Sequence, residues 1–385
     1  MRLTIFVIIF LSVFALLNLY IVKRFINKLH IDKKYKRYFK LFLVINYIGV
    51  IGYMYARYNP DIPNWLYFLL SLPIGVVFLI FCTAVIYDIS HTLITKAPLS
   101  NKRREFFKKG LDYASVGVAL TLSGRAMYEA KFIELEKVDI KIKNLKQSYS
   151  IVQLSDVHIG GLIDQQFIKK IVNRVNALKP DVVVITGDLV DIALDYAKPA
   201  LEELKHLQTK YGTYFIVGNH EYLHGIDEII KTVNSMGIKT LENENVYIGE
   251  KGKGFNLAGV YDYMGYRSEH HEPDLELALK KVDKDSPTVL LAHQPVFIEE
   301  VGDNVDLVLS GHTHGGQLYP FRVLVKMVQP YLAGLYQHSK DTQIYVNKGT
   351  GFWGPPMRLG ASSEITYITI ESASDSLSAS SKGSD

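Results

Sequence analysis

Two long apolar runs near the N-terminus constrain the fold of this chain more than any other feature. Residues 3–22 carry no charged side chain, and residues 65–87 form a second, longer run. Each run is long enough to cross about 30 Å of hydrocarbon as a helix. Residues 41–56 form a shorter run that ends in aromatics and Arg57, as an interfacial edge should. Because backbone polar groups in lipid must be satisfied internally, the sequence predicts a helical transmembrane region over residues 1–130.

Basic residues are distributed unevenly around these runs. They are concentrated in residues 23–40 and again in residues 96–109, whereas residues 58–64 have none. The positive-inside rule then predicts cytoplasmic basic loops and an external N-terminus. A cleaved signal peptide is the alternative for the first run. That run lacks a small-residue cleavage site and continues directly into Lys23-Arg24, which favours an uncleaved anchor.

The side of the membrane on which the rest of the chain lies depends on residues 110–128. This stretch is only moderately apolar, contains Asp112 and forms a marginal fourth span. Arg103-Arg104 in the preceding basic loop, followed by this weakly apolar stretch, is similar to an internal twin-arginine export signal. We therefore predict a multi-pass cell-membrane protein with an extracytoplasmic C-terminal domain. A cytosolic domain is the alternative if the stretch does not cross.

Residues 131–371 have the composition of a globular domain with well-mixed charge. Apolar strand patterns alternate there with amphipathic helix patterns, for example strand 149–154, helix 165–178 and strand 181–186. Continuous apolar strands are typical of sheets covered on both faces, so the alternation predicts a layered α/β fold. Residues 372–385 are rich in serine and lack periodicity, so we expect a disordered tail.

Composition disfavours several classes of protein. The net charge of +4 is small, and no basic stripe with interleaved aromatics follows residue 131, so nucleic acid is not favoured as a partner. The single cysteine, Cys82, excludes an intrachain disulfide. The oligomeric state is left open by these features.

Polar residues that suit metal binding follow five of the predicted strands. In chain order they are Asp156 and His158, Asp188 and Asp191, Asn219 and His220, His293, and His312 and His314. Ligands of open α/β sheets gather at the carboxyl ends of strands, so we expect these side chains to meet at one edge of the sheet. Carboxylates, imidazoles and an amide oxygen together suit Mn²⁺, Fe or Zn²⁺ better than Mg²⁺. The set is too large for one ion, and two divalent metals would clamp a phosphoryl group and generate a hydroxide.

The order of these motifs resembles that of the calcineurin-like metallophosphoesterase superfamily. The motifs are Asp156-Val157-His158, Gly187-Asp188-Leu189-Val190-Asp191, Gly218-Asn219-His220-Glu221, the lone His293, and Gly311-His312-Thr313-His314. The resemblance covers residues 150–370 and implies a four-layer α/β/β/α sandwich, preceded here by the transmembrane helices. It also implies the roles of the site residues. One metal would be held by Asp156, His158 and His314, and the other by Asn219, His293 and His312.

The same resemblance implies that Asp188 bridges the two metals. His220 would stabilise the developing charge or protonate the leaving oxygen, and Asp191 would orient it. A histidine beside two cations needs such a carboxylate partner to stay protonated, because like charges lower its pKa.

Further segments resemble the bacterial membrane-anchored branch of the superfamily, which has twin-arginine-like N-terminal regions. They are residues 259–262, 315–317 and 348–360. The resemblance implies hydrolysis of a phosphoester or phosphoanhydride on a lipid or envelope-linked substrate. One candidate is UDP-2,3-diacylglucosamine in lipid A synthesis, but that substrate is cytosolic in most bacteria and conflicts with an external domain. A non-catalytic metal-binding sensor or scaffold is the alternative function.

Residues 318–335 are apolar and aromatic and follow the last histidine motif. They could form a lip that lies on the membrane and guides a lipid headgroup to the metals. Ordinary packing against the next strand is the alternative, and the sequence favours that packing.

Overall fold

The structure, a computed structural model, describes residues 2–57, 59 and 61–373 of the chain. The chain divides into two compact units, and each has its own architecture. The first unit comprises Met1–Phe132, Leu318–Pro320 and Phe352–Gly360, and the second comprises the remainder. Of the predicted disordered tail, Ser372 ends the last strand, and residues 374–385 lie outside the described residues.

The described part of the first unit is built on long helices. They are α1 (Arg2–Tyr20), α2 (Lys33–Ala56), α3 (Asn64–Lys96) and α4 (Asn101–Glu129). Three helical segments are long and apolar enough to cross a membrane, namely Thr4–Lys28, Lys33–Ala56 and Asn64–Lys96. They overlap the three apolar runs of the sequence. The helix α4, which contains the marginal stretch 110–128, is not one of these three.

Apolar side chains lie both inside and outside the first unit. Val50 of α2 and Val77 and Ala84 of α3 are buried in its core, whereas Ile48 of α2 and Ile86 of α3 are exposed. A helix that is apolar on all sides is typical of a membrane span. The helices therefore have the outer surface that a hydrocarbon environment requires.

Small side chains line the buried face of α4. Ser115, Ala119, Ser123 and Ala126 recur every three or four residues along the helix, and all four are buried. Small residues at this spacing let two helix backbones approach closely, and Ala126 packs in one apolar cluster with Leu79 of α3. The face of α4 that meets α3 is thus built as membrane helix interfaces are.

The second unit contains two six-stranded sheets. Its strands are β1 (Ile133–Ile142), β2 (Tyr149–Leu154), β3 (Val182–Thr186), β4 (Thr213–Ile216), β5 (Lys239–Thr240), β6 (Glu244–Ile248), β7 (Phe255–Gly259), β8 (Thr288–Leu291), β9 (Leu307–Ser310), β10 (Gly334–Gln337), β11 (Gln343–Val346) and β12 (Ser363–Ser372). The first sheet has the order β1-β12-β2-β3-β4-β5, and the second has the order β10-β11-β9-β8-β7-β6. The central strands of each sheet pair in parallel, so their carboxyl ends point the same way.

Helices connect these strands. They are α5 (Gln165–Leu178), α6 (Leu194–Glu203), α7 (Asn219–His224), α8 (Ile226–Ser235), α9 (Gly265–Ser268), α10 (Leu275–Leu279) and α11 (Arg322–Val325). The sequence explains α5 well. The Asp164 side chain accepts a hydrogen bond from the Phe167 N–H at 3.0 Å and caps the helix. Ile168, Ile171 and Val175 then repeat on one buried face.

The main hydrophobic core lies between the two sheets. Ile151 and Val184 of the first sheet pack in one cluster with Leu257, Leu291 and Leu309 of the second. A separate cluster beyond the second sheet includes side chains of α10 and of the turn that follows β8. Because adjacent residues of a strand point to opposite faces, the fully buried β3 must be covered on both sides. The predicted layered α/β/β/α architecture is confirmed.

Asn256 of β7 holds the loop that precedes β8. Its Nδ2 donates to the carbonyl oxygens of Asp283 (2.8 Å) and Ser286 (3.1 Å), and its Oδ1 accepts from the Asp283 N–H (2.8 Å). We expect Asn256→Ala to lower the free energy of unfolding by about 1–3 kcal/mol, because buried backbone groups lose their partners. Thermal denaturation of the purified full chain in detergent measures the effect. Asn245→Ala, which removes one bond to the Ala278 carbonyl at a half-buried position, is the control. An equal loss in both variants would contradict the expectation.

Candidate metal centre

The candidate site lies where the carboxyl ends of five strands meet. Strands β2, β3 and β4 of the first sheet and β8 and β9 of the second lead into the polar residues singled out in the sequence. The set therefore comes from both sheets and not from one edge of a single sheet. Parallel strands that end on the same side explain how motifs far apart in sequence converge.

Asp156, His158 and His314 form one group whose ligand atoms lie within 4.8 Å of one another. The Nε2 atoms of His158 and His314 are 3.0 Å apart, and Nε2 of His314 is 3.5 Å from Oδ1 of Asp156. All three side chains are buried. Two imidazoles and one carboxylate that converge in this way suit a first-row transition metal.

Asp188, His293 and His312 form a second group with the same spacing. Nδ1 of His293 lies 2.7 Å from the Thr186 carbonyl oxygen. A carbonyl can only accept, so Nδ1 carries a proton and Nε2 is the ring atom left to bind a metal. That Nε2 atom is 3.3 Å from Oδ2 of Asp188. The orientation of the His293 ring therefore suits a metal ligand.

The Asp188 carboxylate lies between these two groups. Its Oδ2 is 3.9 Å from Nε2 of His158 in the first group and 3.8 Å from Nε2 of His220. Its Oδ1 accepts the backbone N–H of His220 at 2.8 Å, which fixes its orientation. One carboxylate thus faces residues from both groups.

His220 is held by a second carboxylate. Its Nδ1 lies 2.7 Å from Oδ1 of Asp191, and because a carboxylate accepts, Nδ1 is the donor. The same Asp191 oxygen is 3.4 Å from Nε2 of His224, one turn further along α7. The sequence analysis did not single out His224, although its spacing of four residues from His220 places both on one helix face.

Glu221 joins the two loops that follow β3 and β4. Its carboxylate accepts four backbone N–H groups, those of Asp188 (3.0 Å), Leu189 (2.8 Å), Val190 (3.0 Å) and Gly218 (2.6 Å). Glu221 is completely buried. The sequence analysis quoted it within a motif but gave it no role. A glutamate three residues after a helix N-cap is a signal that could have found it.

Burial and mutual charge control the ionisation of this cluster. Burial raises the pKa of Asp156 to about 6. Burial also opposes ionisation of Asp188, but the positive charge of His293 and His220 lowers its pKa well below the usual range. Burial lowers the pKa of His312 to about 3, so its imidazole is neutral and can bind a metal.

Several of these residues have an unusual backbone conformation. Asp156, His158, Asp188, His312 and His314 all have positive φ, from 49° to 68°. Side chains of L residues rarely adopt this left-handed region, and such strain concentrates at functional sites. The neighbouring Gly218 has no room for a side chain, because a Cβ there would lie 2.9 Å from Nε2 of His293 and closer still to Asp188.

The structure brings the nine predicted residues to one place. Eight of them contact at least one other member of the set. The ninth, Asn219, lies between Gly218 and His220, both of which are beside Asp188. The residues with a structural role that the sequence analysis did not single out are Glu221 and His224.

Comparison with known proteins identifies the class. The calcineurin-like phosphoesterase family matches residues 149–316. A metallophosphoesterase of Helicobacter pylori (strain ATCC 700392 / 26695) is 39% identical over 369 residues, which cover 94% of this chain and 97% of that protein. A transmembrane protein with metallophosphoesterase domain from Bos taurus is 39% identical and covers 59% of this chain and 54% of its own length. The protein of the same description from Danio rerio is 33% identical, with 81% and 75% covered.

The chain therefore belongs to the calcineurin-like metallophosphoesterase family. It is a metal-dependent phosphoric ester hydrolase, and its relatives and apolar helices associate it with a membrane. The family resemblance and the enzyme class expected from the motifs are confirmed.

Glu221→Gln tests the junction between the two loops. The substitution replaces one carboxylate oxygen by an NH₂ group that faces two N–H donors. We expect the free energy of unfolding to fall by roughly 2–4 kcal/mol, because two buried donors lose their acceptor. Thermal denaturation of the full chain in detergent with a chelator measures this without metal. Glu202→Gln on the exposed face of α6 is the matched control, since the Glu202 side chain is exposed and pairs with Lys205. A melting temperature of the Glu221→Gln variant as high as that of the control would contradict the role of Glu221 at this junction.

Proposed function

We propose that this protein is a membrane-anchored two-metal phosphoesterase whose two cation sites share one carboxylate. The observation that carries the proposal is the position of Asp188, whose Oδ2 is 3.3 Å from Nε2 of His293 and 3.9 Å from Nε2 of His158. A bridging carboxylate is what keeps two cations close together. The remaining ligands of this proposal are Asp156, His158 and His314 in one site and Asn219, His293 and His312 in the other.

The donor atoms of the second site fit a cation. Nε2 of His293 faces the Asp188 carboxylate, and Oδ1 of Asn219 is buried without a hydrogen-bond partner among the described residues. A buried polar atom normally has a partner, and a cation would supply it. The mixed donor set favours Mn²⁺, Fe or Zn²⁺. When bound, two such ions would neutralise phosphoryl oxygens and lower the pKa of a water molecule between them.

His220 is the residue that we expect to act on the substrate directly. Its hydrogen bond to Asp191 fixes the ring and leaves Nε2 on the side of Asp188. Two carboxylates, those of Asp191 and Asp188, thus face the ring. The Nε2–H group would then donate to a phosphoryl oxygen or protonate the leaving oxygen. His224 shares Asp191 with His220 and helps to hold that carboxylate in place.

The substrate of this proposal is a phosphoester or phosphoanhydride attached to a lipid or to another envelope component. The site residues recognise a phosphoryl group and not a leaving group, so a diester, a monoester and a pyrophosphate all fit the proposal. The membrane helices favour a substrate that lies in or near the bilayer. UDP-2,3-diacylglucosamine does not form part of the proposal, because a cytosolic substrate conflicts with the topology that follows.

We include α4 in the proposal as a fourth membrane span. Between residues 110 and 124 its only charged side chain is Asp112, which is buried. Asp112 accepts hydrogen bonds from the Tyr87 hydroxyl (2.8 Å) and from the His30 N–H (2.7 Å). The exposed side chains of this stretch, such as Tyr113 and Leu120, are uncharged. Internal pairing of a charge and an uncharged outer face are what lipid requires.

The ends of α2 and α4 share a neighbouring segment, residues 352–360. Residues 352–360 contact both helix ends within the first unit. The Arg358 N–H donates to the Ala126 carbonyl at 2.9 Å, and the Trp353 ring lies 5.7 Å from the Arg57 guanidinium. Since Asp112, in the first half of α4, contacts His30 of the basic loop, these contacts favour a helix that crosses the bilayer. The positive-inside rule then favours an extracytoplasmic catalytic domain.

Asp188→Asn tests the two-metal centre. We expect the purified full chain to lose at least one of its two metals and turnover of bis(p-nitrophenyl) phosphate to fall by at least about 100-fold, because a neutral amide bridges cations poorly. Elemental analysis and hydrolysis with Mn²⁺, Fe²⁺ or Zn²⁺ measure both effects. Asp195→Asn on the surface of α6 is the control. If wild-type protein bound metal but hydrolysed no phosphoester, the sensor or scaffold alternative would replace this proposal.

Cysteine labelling tests the topology of the full chain. In a Cys82→Ser background, single cysteines are introduced by Lys33→Cys in the basic loop or by Asp285→Cys in the catalytic domain. We expect a membrane-impermeant maleimide to label the Asp285→Cys variant in intact spheroplasts and the Lys33→Cys variant only after lysis. The helices α2, α3 and α4 separate positions 33 and 285 along the chain. The two positions therefore lie on opposite sides of the membrane only if α4 crosses it as a third span. Labelling of both variants under the same condition would contradict the proposal.

A further inference from the structure

Residues 321–328, here called the apolar turn, expose more apolar surface than internal packing explains. Met327 is 78% exposed and Val328 is 74% exposed, and Phe321, Val323 and Leu324 are exposed as well. The sequence favoured packing for this region, and the structure contradicts that interpretation for the apolar turn. A contiguous exposed apolar surface of this kind marks a site of interaction with a membrane or a partner.

Large apolar residues are distributed differently in the rest of the second unit. Within its described residues, those that are exposed occur singly, as at Tyr196, Leu223 and Leu277. Isolated exposed apolar residues are normal on any protein surface. The apolar turn is distinct because five such side chains occur within eight residues.

The apolar turn is fixed to the segment that carries His314. A Cβ on Gly316 would lie 2.9 Å from the backbone nitrogen of Arg322, so α11 is in backbone contact with Gly316. On the far side of the turn, the Thr313 hydroxyl donates to the Leu332 carbonyl at 2.6 Å. The chain is therefore held beside the His314 segment at the start of the apolar turn and again four residues after its end. Whatever contacts the apolar turn is held close to the metal centre.

Positive charge accompanies the apolar side chains. Arg322 and Lys326 belong to the same turn, and Lys326 is exposed. Segments that lie in a bilayer interface combine exposed apolar side chains with lysine or arginine, which contact anionic headgroups. The apolar helices of the first unit already associate this chain with a bilayer. A lipid surface is thus the occupant that the composition of the turn and the rest of the chain both favour.

We propose that the apolar turn inserts into the boundary between headgroups and acyl chains and holds the metal centre at the lipid surface. Met327 and Val328 enter the acyl region, and Arg322 and Lys326 contact lipid phosphates. The consequence of this insertion for the substrate rests on the proposed function. A phosphoester in a lipid headgroup reaches the metal centre while its acyl chains stay in the bilayer, so the substrate class is a phospholipid or lipid-linked phosphate and not a freely soluble ester.

Fluorescence quenching tests the insertion independently of catalysis. In a Cys82→Ser background, the fluorophore NBD is attached to Met327→Cys or, as a matched control, to Leu277→Cys at an exposed apolar position of α10. The full chain is reconstituted in vesicles of phosphatidylethanolamine and phosphatidylglycerol that contain a lipid with a doxyl group on its acyl chain. We expect blue-shifted emission and several-fold stronger quenching at position 327 than at position 277. Equal quenching at the two positions would overturn the insertion. The insertion would also be overturned if quenching at position 327 changed with the number of protein copies per vesicle. That dependence would show that a second copy of the chain covers the turn.

Comparison of two substrates tests the consequence for catalysis. Hydrolysis by the reconstituted full chain is measured with bis(p-nitrophenyl) phosphate and with the phosphatidylglycerol of the vesicles. We expect the ratio of lipid to soluble turnover to fall about tenfold in the double variant Met327→Gln with Val328→Gln, because the two apolar side chains that enter the acyl region become polar. Leu277→Gln should keep the wild-type ratio.

The outcomes separate this inference from the proposed function. The assignment of a lipid substrate would be overturned if the double variant kept the wild-type ratio of lipid to soluble turnover. It would also be overturned if the wild-type protein hydrolysed the soluble diester but not the lipid. If wild-type protein hydrolysed neither compound with any divalent metal, the proposed function would fail. The quenching at position 327 would still decide whether the apolar turn inserts.

Discussion

The candidate metal centre depends on one buried carboxylate that is not itself among its proposed ligands. Glu221 accepts the N–H groups of Asp188, Leu189, Val190 and Gly218, and so ties the loop after β3 to the loop after β4. Burial and the nearby charge of Asp188 raise the pKa of Glu221 to about 7, while its N–H donors favour the ionised form. Without this acceptor, four buried donors would have no partner, and the positions of the Asp188 carboxylate and of α7 would be lost together.

The fixed loops explain how the chain tolerates strain at its site. Asp156, His158, Asp188, His312 and His314 have left-handed backbone conformations, each of which costs about 1–3 kcal/mol. Such residues keep this conformation only where the surroundings determine it. Here those surroundings are the ends of strands whose inner faces form the core between the two sheets. Side-chain packing in the core between the sheets, away from the metal centre, therefore holds the donor atoms of the metal centre close to one another.

Periodicity and motif order predicted much of this arrangement, and tertiary contacts account for the rest. The sequence predicted α5 and β2 within their observed bounds, because both have a clear apolar pattern. It did not predict β1, whose alternating polar residues only form a strand by pairing with β12 at the opposite end of the domain. Motif order identified the nine site residues. It could not reveal that two sheets supply them, that Glu221 joins the loops, or that Met327 is exposed, since each depends on contacts between distant segments.

Short segments from late in the chain complete the helical unit. Leu318 belongs to the first unit, where it packs in one buried cluster with Leu79, Ala126 and Met357. It is four residues along the chain from His314. The segment 352–360 joins the same unit, since the Arg358 N–H donates to the Ala126 carbonyl at 2.9 Å. The helical unit is therefore completed by residues that follow the last histidine motif in the chain, which is a physical reason for a phosphoesterase of this type to keep both parts in one polypeptide.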